Sequence, residues 1–275
     1  MARARIGPLE ILLALLAGST LLFVGSEAVR TYRDDARRKQ VEALEQEERR
    51  IAQQLAASRD VHERRREEPR APRRVDPVTD VDAVLARLAV GTGGTYIADL
   101  IENQDSVLYR WSDRTIETLR VWVQTRSLVR DWQPAFVPRA REAFPEWGAA
   151  GFPVRFTFTL DSASADVRVM WIDRFPSEDG QRVGRADRQV DSQGWIHRAD
   201  LFVALHDSAG RPIPAEWVAA ITRHEVGHAL GLGHTSDSTS IMFPTSRTTV
   251  ISPADRATLR FLYTLPPGSL RRRTS

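Results

Sequence analysis

The first strongly apolar stretch of the chain covers residues 9–24, which are almost entirely apolar apart from Glu10. Arg3 and Arg5 precede it, a pattern typical of membrane targeting, so residues 1–28 are interpreted as a signal anchor or a signal peptide. Sixteen residues would span about 24 Å as a helix, against a hydrocarbon core of about 30 Å. The length of this stretch therefore does not distinguish a membrane anchor from a cleaved signal peptide or from a buried helix of a soluble domain. We expect the bulk of the chain on the extracytoplasmic side of the membrane, although the basic residues after the stretch favour the opposite orientation.

Residues 29–79 have a different pattern, rich in Arg and Glu. Four apolar residues fall on a spacing of three and four, interrupted at Glu48, and these are Val41, Leu44, Ile51 and Leu55. The spacing predicts an exposed helical stalk with weak coiled-coil self-association through residues 29–60. Three prolines then end the helical pattern and mark a linker, namely Pro69, Pro72 and Pro77.

From residue 80 onward, helix-like and strand-like periods are mixed. This predicts an α/β domain at residues 80–267, followed by a basic tail at residues 268–275. Alternating and β-branched runs predict strands at residues 119–124, 155–160, 167–172, 183–190 and 195–205. The last two strands flank an Asp-Ser-Gln-Gly turn and should form a hairpin. Amphipathic periods predict helices at residues 82–88 and 137–149, from Pro214, and after the capping residue Ser252.

Composition narrows the classes of function. Hydrophobic residues make up 42% of the chain, which is typical of a globular protein rather than one with several membrane spans. The net charge is only +3, from 39 basic and 36 acidic residues, so nucleic-acid binding is not expected. The chain contains no cysteine, which excludes disulfide bonds and thiolate zinc sites.

One stretch, HEVGHALGLGH, concentrates the metal-capable side chains. His224 and His228 lie one turn apart on the same face of a helix, at a separation that a tetrahedral zinc ion can bridge. His234 cannot share that face, because ten residues extend a helix by about 15 Å. Gly231 and Gly233 allow the helix to end and the chain to turn back. The spacing therefore predicts a Zn²⁺ site with His224, His228 and His234 as metal ligands.

Glu225 directly follows the first ligand and so faces a neighbouring strip of the helix. Its carboxylate can reach a zinc-bound water from there without ligating the metal, which is the position of a general base. Two histidines on an apolar helix face are often ordinary core residues. The complete HExxHxxGxxH pattern, however, arises by chance in roughly one of 100,000 sequences of this length.

The motif and the residues after it resemble the metzincin metallopeptidases, whose signature is HExxHxxGxxH followed by a Met-turn. Met242 lies eight residues after His234 in the sequence Ser-Ile-Met-Phe-Pro, and Thr235 directly follows that histidine, which is similar to the matrixin branch. Other branches carry a tyrosine ligand where this chain has Pro244, so none is expected. The resemblance implies a twisted five-stranded mixed sheet packed on helices, with Met242 as a hydrophobic floor under the imidazoles. It also implies that the strand at residues 183–190 is the edge of the sheet, where an extended peptide can add as another strand.

The resemblance also bears on additional metals. Some relatives bind calcium, and the candidate ligands here are Asp187, Asp191 and Asp200. Their spacing does not support a Ca²⁺ site. The second, structural zinc site of the family is not recreated by the remaining histidines, which are His62, His197 and His206. One catalytic zinc is therefore expected.

The sequence thus predicts a zinc endopeptidase that hydrolyses extended protein or peptide substrates, with Glu225 as the catalytic residue. Its location is expected to be the cell membrane, with the catalytic domain outside the cytoplasm, or the extracellular space. A different class of function is left open, namely a zinc-stabilised, catalytically silent adaptor displayed at a membrane. Glu225 argues against the adaptor, since a structural zinc site normally closes its fourth position with a protein ligand.

Overall fold

The computed structural model describes residues 33, 35–54, 75–91 and 93–271. The chain divides into two compact units between Arg50 and Ile51. Helix α1 (35–54) begins in the first unit, where its residues form ion pairs, Arg49 with Glu45 and Arg50 with Glu47. The helix predicted for the charged segment is therefore present over these residues.

Within the described residues, no helix has the length and apolar character needed to cross a membrane. The predicted membrane segment at residues 9–24 lies outside the described residues, as do Leu55, His62, Pro69 and Pro72. The membrane segment and its cleavage stay predictions.

The second unit contains both helices and strands. In chain order they are α2 (Val81–Gly91), α3 (Ile97–Asn103), β1 (Val107–Leu108), β2 (Arg114–Val123), α4 (Phe136–Gly148), β3 (Val154–Phe158), β4 (Val167–Ile172), β5 (Gly184–Val190), β6 (Ile196–Ala204), α5 (Ala215–Ala229), α6 (Pro253–Leu262) and β7 (Gly268–Ser269). A short 3₁₀ turn at Ser177–Asp179 precedes β5.

Five strands form one mixed sheet in the order β3-β2-β4-β6-β5. Neighbouring strands from β3 to β6 are parallel, whereas β5 pairs with β6 in the antiparallel direction. The predicted five-stranded mixed sheet and the predicted hairpin are both confirmed. Strand β5 lies at one edge of this sheet, beside helix α5.

Alternation along the central strands places one face of the sheet in the main core. Val167, Val169 and Trp171 of β4 are buried there together with residues of α4 and α5. Trp147 of α4 is fully buried, and its indole N–H donates to the backbone oxygen of Arg223 in α5 at 2.9 Å. Burying a large apolar side chain contributes about 1.5 to 3 kcal/mol, so this layer holds α5 firmly against the sheet.

The alternate residues of β4 and β6 form a smaller cluster on the other face. Met170 and Phe202 are buried there, and Ile51 lies in the same cluster with only 3% of its surface exposed. Ile51 is therefore a core residue of the second unit, although the charged pattern around it predicts an exposed helix.

A second sheet joins the two ends of the described unit. Strands β1 and β7 pair in the antiparallel direction, and Pro77 forms a bridge with Ser269. Val78 donates its N–H to the oxygen of Ser269 at 3.0 Å, and Ser269 donates to the oxygen of Asp76 at 3.0 Å. The end of the predicted linker and the first residues of the predicted basic tail therefore lie in one small sheet.

Candidate metal centre

Helix α5 presents two of the predicted ligands from a buried face. It packs against β5 and β6, and only 8% of His224 is exposed, while His228 is partly buried. The helix ends at Ala229, and Gly231 then adopts a φ of +108°, which residues with side chains rarely take. Leu232 donates its N–H to the oxygen of Gly227 at 3.0 Å and closes the turn. The predicted stop of the ligand helix is therefore found at Gly231.

This turn brings His234 back to the two imidazoles of the helix. The Nε2 atom of His228 lies 3.0 Å from Nε2 of His224 and 3.2 Å from Nε2 of His234. Nitrogens bound to one tetrahedral zinc ion would lie about 3.3 Å apart. Among the described residues, no other group of three metal-capable side chains brings its ligand atoms within 4.8 Å of one another. The three histidines therefore fit a single zinc ion.

Hydrogen bonds at Nδ1 determine which ring nitrogen of the helical ligands faces the centre. Nδ1 of His224 lies 2.6 Å from the oxygen of Ile241, and Nδ1 of His228 lies 2.9 Å from the oxygen of Leu232. A carbonyl oxygen only accepts, so each Nδ1 carries the proton and each Nε2 directs a lone pair at the centre. Lone pairs that face one another at this distance repel unless a cation lies between them.

Burial keeps these imidazoles neutral. It lowers the pKa of His224 from 6.5 to about 4 and lowers the pKa of His228 well below its ordinary value, with a further contribution from the neighbouring histidines. Burial also lowers the pKa of His234, and the positive charge of Arg182 acts in the same direction. Neutral imidazole is the form that binds metal, so at neutral pH few protons have to be displaced.

Glu225 is enclosed between α5 and the edge strand β5. Only 4% of it is exposed, and burial raises its pKa from 4.5 to about 8, against the opposing charge of Arg182. Gly184 of β5 lies so close that a Cβ at that position would overlap the carboxylate. Among the residues that the structure describes, the Oε2 atom has no hydrogen-bond partner. Because buried oxygens rarely lack a partner, this atom is available to accept from a proton donor.

Met242 lies against the helix that carries His224 and His228. It is fully buried, and its sulfur approaches Gly227 so closely that a Cβ there would overlap it. Its backbone oxygen accepts from the N–H of Thr235 at 3.2 Å. Met242 therefore contacts α5 between the two helical ligands and also the residue that follows His234.

The chain was compared with known proteins. The family model described as Matrixin, peptidase M10, matches residues 110–264, which is more than half of the chain. The chain belongs to the matrixin family. Metalloendoproteinase 1-MMP of Arabidopsis thaliana is 30% identical over 114 residues, which cover 39% of this chain and 31% of the relative. Metalloendoproteinase 1 of Glycine max is 26% identical over 136 residues, which cover 46% of this chain and 44% of the relative. The chain thus matches less than half the length of these relatives.

The matrixin match includes all three histidines, Glu225 and Met242. It begins after α3, although polar residues at this helix contact the segment around His234. These are Asp99, Asn103 and Gln104, and they are functional candidates that the sequence analysis misses. Helix α3 has seven residues and no side-chain cap, so it leaves no periodic or capping signal in the sequence.

The remaining predicted candidates lie elsewhere. Two of the aspartates named for calcium form ion pairs within the sheet, Asp187 with Arg185 and Asp200 with Arg168. Asp191 lies 2.8 Å from His197, between Oδ2 and Nε2. His206 is fully buried, with its ring nitrogens 2.9 Å from Asp131 and 2.8 Å from Asp173. Neither His197 nor His206 belongs to the metal cluster.

Proposed function

We propose that this matrixin is a zinc-dependent endopeptidase with His224, His228 and His234 as metal ligands and Glu225 as the general base. The observation that carries the proposal is the convergence of the Nε2 atoms of the three histidines. Glu225, which directly follows the first of them in the chain, has a buried carboxylate whose Oε2 atom has no hydrogen-bond partner among the described residues. Three neutral imidazoles, two of them with Nδ1 on carbonyl oxygens, form the donor set that a catalytic zinc prefers.

Bound zinc would lower the pKa of the attacking water and polarise the scissile carbonyl. Glu225 accepts the proton that the water loses as its oxygen attacks the peptide carbon. It then gives that proton to the amide nitrogen, so that the carbon–nitrogen bond breaks and a neutral amine leaves. The raised pKa of Glu225, about 8, belongs to the metal-free site, and the positive charge of a bound zinc ion would lower it toward the ionised form that accepts the proton.

Edge strand β5 supports an extended substrate. Gly184, at the start of this strand, packs against Glu225, so a peptide added along the strand would lie beside the general base. An unpaired strand edge offers N–H and carbonyl groups that such a peptide can use. The substrate class is therefore proposed to be proteins or peptides in extended conformation.

The test uses the full-length chain loaded with zinc and a peptide library derived from a proteome. We expect cleavage that a chelator abolishes and that added zinc restores. Single His→Ala variants at positions 224, 228 and 234 should lose zinc, as measured by metal analysis. Full zinc occupancy in all three variants contradicts the ligand assignment. A wild-type protein that holds zinc and cleaves no peptide favours the silent adaptor instead.

Delivery across a membrane is a separate proposal, which rests on the apolar pattern of residues 9–24. In intact cells of the source, external protease should degrade residues 80–267, and fractionation should recover the chain with membranes. A protected domain would overturn the orientation, and a soluble external form that starts near Val29 would indicate a cleaved signal. Self-association through residues 29–60 stays a prediction, which analytical ultracentrifugation can test.

A further inference from the structure

Helix α3 contacts the short loop that connects the ligand helix to the third ligand. Asn103 donates from Nδ2 to the backbone oxygen of His234 at 3.1 Å. Gln104, directly after the helix, donates from Nε2 to the backbone oxygen of Gly231 at 2.9 Å. These two side chains therefore hold the first and last residues of the loop 231–234.

Asp99 of α3 binds the residues that follow the third ligand. Its Oδ2 atom accepts from the hydroxyl of Thr235 at 2.9 Å, from the N–H of Ser236 at 2.9 Å and from the hydroxyl of Ser236 at 3.0 Å. Only 3% of Thr235 is exposed, so its hydroxyl requires a partner within the protein. The bond from the Ser236 backbone lowers the pKa of Asp99, so its carboxylate is charged at neutral pH and makes charge-assisted hydrogen bonds.

Backbone packing adds to these polar contacts. Gly233 lies so close to α3 that a Cβ there would be 3.3 Å from Nε2 of Gln104 and 3.6 Å from Cα of Leu100. The loop between the helix end and the third ligand therefore rests directly on α3.

The three ligands differ in how they are supported. His224 and His228 are fixed by the backbone of α5 and by the carbonyl oxygens that bind their Nδ1 atoms. His234 lies five residues beyond the end of α5, on a segment that contains Gly231 and Gly233. Glycine loses more conformational freedom on folding than other residues, so contacts from outside the loop have to fix its position.

We infer that Asp99, Asn103 and Gln104, here called the α3 polar cluster, position His234 for the metal. Zinc affinity then depends on residues that precede the matrixin match at residues 110–264. The inference rests on the proposed zinc site. The members of the α3 polar cluster are positioning residues, since they act on the metal through the backbone of His234 and its neighbours.

The experiment compares zinc affinity in the full-length wild type and the double variant Asp99→Ala/Asn103→Ala, by competition with a chelator. Removing a partner that orients a metal ligand typically weakens affinity about 10- to 100-fold, and we expect a loss in that range. Glu102→Ala is the matched control, because it removes an exposed carboxylate from the same helix. The control should bind zinc as tightly as wild type.

The visible absorption spectrum of bound cobalt(II) reports the coordination of the metal and does not change with a general loss of stability. An ion held by three imidazoles in a four-coordinate site absorbs visible light more strongly than one with additional water ligands. The double variant should shift toward the spectrum of His234→Ala, while Asp99→Asn, which keeps an acceptor oxygen, should recover part of the wild-type spectrum. Thermal unfolding of the metal-free proteins is measured in parallel.

The outcomes separate the two proposals. A wild type that binds no zinc overturns the proposed function. A wild type that binds zinc, together with a double variant of unchanged affinity and cobalt spectrum, overturns the positioning role of the α3 polar cluster. Should the double variant not fold, Asn103→Ala replaces it, since Asn103 is exposed, and unchanged affinity there also overturns the role.

Discussion

At the scale of single residues, burial strongly changes the acidity of Glu225. The sequence predicts that its carboxylate reaches a zinc-bound water, but the helical pattern does not predict how deeply it is buried. The structure places it in a nearly closed site, 4% exposed, with burial raising its pKa to about 8. This difference arises from the approach of Gly184, a contact across the fold that the helical pattern does not contain.

Replacing Glu225 by glutamine should therefore stabilise the metal-free protein at neutral pH. Between pH 4.5 and 8 the folded protein holds a proton that the unfolded chain releases, so stability falls as the pH rises through this window. At pH 7 the cost is about 3 kcal/mol, at about 1.4 kcal/mol for each pH unit above the ordinary pKa. Urea unfolding should show that the variant is more stable than the wild type at pH 7 and that its stability changes less between pH 5 and pH 7. A wild type with equal stability at both pH values would contradict the buried position of Glu225.

Gly231 provides a second prediction for a single residue. Its φ of +108° is unfavourable for other residues, and a Cβ there would overlap the backbone oxygen of Tyr109. Gly231→Ala should lower the free energy of unfolding by more than about 2 kcal/mol, since backbone strain alone costs about 1 to 3 kcal/mol. Gly94→Ala is the control, because its φ is +72° but a Cβ there meets nothing within 4 Å. If urea unfolding shows equal losses of stability for the two variants, the contact with Tyr109 does not cause the loss in Gly231→Ala.

For the secondary-structure elements, local patterns predict well where they are long. Strand β4 has the predicted bounds, α5 begins after Pro214, and α6 has the predicted cap at Ser252, because periodicity and capping chemistry are local. The elements that the sequence analysis misses are short. Strands β1 and β7 have two residues each, and α3 has seven, so each depends on partners far away in the chain.

Helix α6 also supports the metal centre through its first turn. The carboxylate of Asp255 is fully buried and accepts from the N–H of Ser252 at 2.7 Å, the N–H of Ile241 at 3.2 Å and the hydroxyl of Tyr96 at 3.0 Å. Ile241 in turn offers its backbone oxygen to Nδ1 of His224. The cap of helix α6 is thus connected to His224, a proposed metal ligand, through one residue, Ile241.

Asp255→Asn should consequently destabilise the protein and weaken zinc binding. The amide group of asparagine would place its own N–H donors against donors that the carboxylate now accepts from. The loss of a buried charged acceptor should lower the free energy of unfolding by about 3 kcal/mol. Ser252→Ala is the matched variant, since it removes only the cap and should cost about 1 kcal/mol. Chemical denaturation and zinc competition measure both effects. A cost for Asp255→Asn no larger than that of Ser252→Ala would show that the cap alone matters.

For the molecule as a whole, the sequence predicts the ligand set and the strands, but not how they meet. The motif contains His224, His228 and His234, and the order of elements predicts a mixed sheet. The edge position of β5 is implied by the resemblance to the matrixins and confirmed by the strand order β3-β2-β4-β6-β5. The approach of Gly184 to Glu225, in contrast, depends on packing between distant segments. The same holds for the contacts between α3 and the loop around His234.

The proposed peptidase activity is tested by peptide cleavage with wild type and Glu225→Gln at matched zinc content. The variant keeps the three imidazoles and should hold zinc, but it lacks the carboxylate that accepts the proton of the attacking water. Removal of a general base typically costs about 100- to 10,000-fold, and we predict a loss of at least this size in kcat/KM. Equal cleavage by the variant, or a zinc-loaded wild type that cleaves no peptide across the library, would contradict the proposal.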